Sequence, residues 1–71
     1  MTFEDMAIGE IFITDWNTLY VYKKISYDRH LVVSCRKKQM TKARKNAIGN
    51  VNSAIPEMPV KLYKDRMIII I

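Results

Sequence analysis

The chain has 71 residues, 49% hydrophobic and 10% aromatic, with only two Gly and two Pro; that is too apolar for a disordered chain and too short for two cores. One cysteine and one histidine exclude an internal disulfide framework and the usual zinc sites, which draw four ligands from Cys and His. The net charge of +5 is unevenly laid out: residues 1–22 carry four acids and no base, whereas residues 23–71 carry all twelve Lys and Arg against Asp28, Glu57 and Asp65, a balance of +9.

In chain order, Phe3, Met6 and Ile8 are expected to be apolar anchors of a short hooked turn. Gly9 sits where a chain reversal calls for positive φ. Residues 10–14 are rich in β-branched and aromatic side chains and predict a first strand. A turn over 15–18 precedes a second strand over 19–25. Its alternation places Leu19, Val21, Lys23 and Ile25 on one face and Tyr20, Tyr22 and Lys24 on the other. Residues 26–29 close a hairpin onto a third strand over 30–36.

Residues 36–45 hold six positive charges in ten positions and no acid. An exposed loop, a helix of one or two turns and a long hairpin tip all fit this segment. Residues 46–50 offer a short return strand and 51–55 a weak one. Pro56 and Pro59 fix a rigid turn, residues 60–63 alternate cleanly, and 66–71 end as a strand. Five or six short strands with tight turns predict an all-β fold, a small SH3-like barrel in a single domain over 1–71, with the basic loop or short helix inserted after the third strand. The longest apolar run is five residues, far short of the roughly 20 that span a bilayer. The free thiol and the acidic N-terminus predict a cytoplasmic protein.

The sequence Phe3…Met6-x-x-Gly9-Glu10-x-Phe12, followed by Leu19-Tyr20-Val21-x-Lys23 and a Pro-acidic turn before a Val-led strand, resembles a group of small phage and bacterial proteins. Their pattern is F-x-x-L-x-x-G-[DE]-x-F, followed by an L-Y-x-K strand. The resemblance spans residues 3–25 and, more loosely, 56–63. It implies an SH3-like barrel, mostly of unassigned function, and with it a phage origin and a host cytoplasm. The long basic segment and the isoleucine-rich end depart from the group.

The basic segment is the leading functional candidate. Arg36, Lys37, Lys38, Lys42, Arg44 and Lys45 could neutralise phosphates and release counterions, or they could meet an acidic protein surface. Tyr20 and Tyr22, with Tyr27 as a third, could stack bases on the face opposite Val21 and Ile25. Trp16, in a turn, could anchor a protein partner or cap an open barrel end. Cys35 is expected to be a small buried residue, and His30 a surface or turn residue. Five apart on one strand, the two fall on opposite faces and form no nucleophilic pair. Asp5, Asp15, Asp28 and Asp65 fall in turns. With no carboxylate pair spaced for acid–base work and no glycine-rich phosphate loop, no catalytic, cofactor or metal residues are assigned. The terminal strand could be buried, or it could pair with a second copy as a homodimer or with another protein. The expectation is a non-enzymatic, basic nucleic-acid-binding protein. The alternative is a phage-encoded factor or inhibitor that docks an acidic surface of a host or defence protein.

Overall fold

The computed structural model describes residues 1–35 and 49–62; the basic segment 36–45, most of the expected return strand 46–50 and the expected strand 66–71 lie outside the described residues. A 3-10 turn (Phe3–Asp5) leads into β1 (Ile11–Thr14), β2 (Tyr20–Ser26), β3 (Arg29–Cys35), β4 (Val51–Ser53) and β5 (Val60–Leu62). All five form one antiparallel sheet in the order β4-β3-β2-β1-β5. The all-β class is as expected. The sheet is not closed into a barrel among the described residues, and β4 and β5 are its edges. Among these residues no helix is long and apolar enough to cross a membrane.

The β2–β3 hairpin turns through Tyr27 and Asp28, with Ser26 opposite Arg29. Its register shifts twice. Val33 is skipped between the Val21–Ser34 and Tyr22–Val32 pairs, and Ile25 between the Lys24–His30 and Ser26–Arg29 pairs. Each shift is a bulge, an extra residue that resets which side the following residues face. One expectation fails for this reason. His30 pairs with Lys24 and Cys35 with Tyr20, so His30 and Cys35 lie on the same face rather than on opposite ones. Cys35 is buried as expected.

Phe12 opposes Tyr22, and the core is built on that face. Phe3, Met6, Phe12 and Val60 are buried together, with Tyr22, Ala54, Met58 and Leu62 packed around them. The Phe3 and Phe12 rings meet edge to face at 5.5 Å. Burying each ring fully contributes about 1.5–3 kcal/mol. The N-terminal hook is stitched over this face by backbone bonds: the Phe3 amide donates to the Met58 carbonyl (2.9 Å), the Glu4 amide to that of Pro56 (2.8 Å) and the Val60 amide to that of Met1 (3.0 Å). Ile13 and Val21, which alternate to the other side, are buried as well.

Gly9 takes the expected positive φ, +99°, and its amide donates to the Lys24 carbonyl at 2.7 Å. The same reversal turns Ile8 outward. Ile8 is 68% exposed, so it is not the apolar anchor its type suggested. In return the hook buries Lys24, whose side chain is 3% exposed. Its ammonium donates to the carbonyls of Phe3 (2.7 Å), Met6 (2.8 Å) and, more weakly, Glu4 (3.5 Å), and it lies 4.7 Å from the Phe3 ring centroid. The Phe3 carbonyl also accepts from the Met6 amide (3.2 Å); Lys24 adds a second donor there and supplies one to the Met6 carbonyl from a neighbouring strand.

Candidate functional site

The hook and residues 54–60 cover the Phe12 end of the core face. Toward β3 and β4 the same face opens into a recess of about 380 Å³. Tyr20 and Tyr22 of β2 and His30 and Val32 of β3 contribute to its lining. Three asparagines complete the described lining: Asn17 comes from the β1–β2 turn, Asn50 precedes β4 and Asn52 lies on it.

Alternation within β2 puts both tyrosines on this face, as expected. Their ring centroids are 6.3 Å apart and the planes are tilted by 43°. Tyr22 is wedged between Phe12 at 5.3 Å and the His30 ring at 4.8 Å, the latter edge to face. Burial, with the neighbouring Tyr20 adding to it, pushes the Tyr22 hydroxyl above its ordinary 10.0. His30 is not the surface or turn residue expected. It is half-buried, with its ring also edge-on to Phe3 and Phe12, and burial holds its imidazole below the ordinary 6.5. Its Nδ1 is buried without a hydrogen-bond partner among the described residues. The hairpin pairing explains the difference: opposite Lys24, His30 points at the aromatic cluster rather than away from it.

This shift links pH to stability. A histidine whose folded pKa is depressed leaves the unfolded chain to take up the proton first. Stability contributed by neutral His30 is therefore complete above about 6.5 and declines as the pH falls from there to the depressed folded value. Thermal melts should show the midpoint dropping over that interval and the slope vanishing in His30→Phe; an unchanged slope in the variant would assign the pH dependence to other groups. Asp5 acts at lower pH. Its carboxylate accepts from the Thr2 hydroxyl (2.8 Å) and amide (3.3 Å), and these bonds hold it below the usual 3.8.

The three asparagines were not singled out in the sequence, yet two are fixed by backbone partners. Asn17 Oδ1 accepts from the Leu19 amide at 3.0 Å. The turn holding Asn17 is itself tied by the Thr14 hydroxyl, which donates to the Asn17 carbonyl at 3.0 Å. Asn52 Nδ2 donates to the Asn50 carbonyl at 3.1 Å. The one legible signal was the i, i+2 spacing of Asn50 and Asn52, which puts both on one side of an extended chain.

None of the described lining residues carries a formal charge at neutral pH. The chain leaves the described structure at Cys35, opposite Tyr20, and re-enters at Gly49, whose amide donates to the Val32 carbonyl (2.6 Å). Gly49 has φ of +91°, which turns the chain into the Asn50–Asn52 edge. The described residues on either side of residues 36–48 thus sit next to lining residues: Cys35 is paired with Tyr20, and Gly49 precedes Asn50. Its candidate residues Arg36, Lys37, Lys38, Lys42, Arg44 and Lys45 lie outside the described residues. Trp16 is 64% exposed in the β1–β2 turn. Tyr27 is exposed at the opposite hairpin turn and does not line the recess. Among the described residues no group of three or more His, Cys, Asp or Glu could hold a metal ion. Compared with protein-family models, curated proteins and solved structures, the chain matches none.

Proposed function

We propose that this protein is a non-enzymatic binder of single-stranded nucleic acid, which seats unpaired bases on Tyr20 and Tyr22 while the basic segment 36–45 holds phosphates. The observation that supports the reading is a tyrosine pair in a recess with three asparagines, lined by Tyr20 and Asn50, which lie beside the last and first described residues flanking the most basic part of the sequence. Stacking on an aromatic face is available to any base. A Lys/Arg-rich neighbour adds affinity by releasing condensed counterions. A duplex hides its base faces, so single strands are the better ligand.

The test is fluorescence anisotropy of labelled single- and double-stranded DNA and RNA at low and near-physiological salt. Single strands are expected to bind at micromolar concentration or tighter, with duplex weaker and with affinity falling steeply as salt rises. Tyr20→Ala should weaken single-strand binding by about tenfold or more, the order expected for losing one base stack. Absence of binding even at low salt sinks the proposal. The exposed Trp16 then favours the second reading, an acidic protein surface engaged by the same basic segment, with the indole as anchor.

A further inference from the structure

We infer that the recess reads the edge of the base it holds, with Asn17 and Asn52 as specificity-determining residues; this rests on the proposal that Tyr20 and Tyr22 stack unpaired bases. A side-chain amide is normally ambiguous, because oxygen and nitrogen can exchange places by a flip. Here backbone partners remove the ambiguity. The Leu19 amide requires the oxygen of Asn17, which leaves the Asn17 Nδ2 group as the donor offered to a ligand. The Asn50 carbonyl requires the nitrogen of Asn52, which leaves Asn52 Oδ1 as the acceptor.

The recess therefore offers a preset donor from the β1–β2 turn and a preset acceptor from the β4 edge, which border the tyrosine pair from two different parts of the sheet. Tyr22 and His30 are held by ring contacts with the core, so the floor beneath the base is rigid. The four bases differ in where donors and acceptors fall along their edges. A fixed donor and acceptor cannot satisfy all four equally, and a base that leaves either group unpaired is bound less tightly. The neutral side chains of the described lining suffice for this. The ligand class is an unpaired nucleobase with a complementary edge, carried either by a polynucleotide or by a free nucleotide.

The experiment compares labelled single-stranded homopolymers of each base, an abasic oligonucleotide of the same length and the four nucleoside monophosphates, all at one salt concentration. The wild-type chain is expected to prefer one base over the poorest by about tenfold or more, in line with the discrimination a good base contact provides. The abasic strand should bind weakest. Asn17→Asp keeps the oxygen that accepts from Leu19, and so keeps the turn, but replaces the donor by an acceptor. Asn52→Ala removes the acceptor from an exposed edge position. Both variants should reduce the ratio between bases to within about threefold while the dependence of affinity on salt is retained. Equal binding of all homopolymers by the wild-type chain, or ratios unchanged in both variants, overturns base reading and leaves nucleic-acid binding standing. Monophosphates bound as tightly as the strands would uphold base reading but move the source to free nucleotides. Failure of every strand and every nucleotide to bind overturns both.

Discussion

Replacing Lys24 by Met is expected to lower the melting temperature by about 15 °C, whereas Lys23→Met one residue earlier leaves it nearly unchanged. Lys23 is exposed, and exposed substitutions away from special features stay within about 0.5 kcal/mol. Lys24 is buried, and its ammonium donates to the carbonyls of Phe3 and Met6 at 2.7 and 2.8 Å. Methionine matches the length and apolar character of the stem but brings no donor. Hydrogen bonds to charged groups contribute about 1.5–3 kcal/mol each, and the buried carbonyl of Met6 would lose its donor. The Phe3 carbonyl retains the Met6 amide at 3.2 Å, so the loss should fall near the lower end, about 3 kcal/mol in total. A domain of this size loses about 4–8 °C per kcal/mol. Differential scanning calorimetry of the two variants decides it. Equal melting would mean that the hook is held by the Phe3–Met58 and Glu4–Pro56 backbone bonds without help from the ammonium.

The second large effect is on binding. Charge reversal at Lys37, Lys38, Arg44 and Lys45 to Glu takes the net charge from +5 to −3. A protein making several phosphate contacts draws most of its non-specific affinity from them, so binding to single strands should weaken by roughly a thousandfold or more. The salt dependence should flatten at the same time, because fewer counterions are released. The melting temperature serves as the control for folding. A variant that keeps its melt and loses binding places the phosphate contacts in this segment. A variant that keeps both melt and affinity would move those contacts to other cations, such as Lys61 and Arg29. Tyr20→Ala differs in kind: it should reduce affinity without changing the salt slope, since stacking releases no counterions.

Much of this molecule follows from local pattern. Among the described residues, runs of β-branched and aromatic residues marked β1, β2, β3 and β5 to within a residue, because strand preference depends on side-chain shape beside the backbone. Gly9 announced a reversal through the one conformation other residues avoid. Alternation in β2 placed Tyr20, Tyr22 and Lys24 together. The segregation of acids into residues 1–22 and bases into 23–71 is a property of the sequence itself.

Alternation says which residues share a face but not what covers that face. It sets Lys23 among Leu19, Val21 and Ile25 and Lys24 beside the tyrosines, and does not say which is covered. Only the hook, which brings the carbonyls of residues 3–6 against a strand about twenty positions away, decides that Lys24 is the buried one. His30 and Cys35 obey a period of two only until the bulge at Val33 resets it, and a bulge is fixed by pairing with the partner strand. Asn17, Asn50 and Asn52 become one site through contacts spanning more than thirty residues of chain. Local sequence determined the strands, the turns and the layout of charge. Register and long-range packing, set by the whole buried core at once, decided which lysine is interior, where the histidine points and which amides meet the tyrosines.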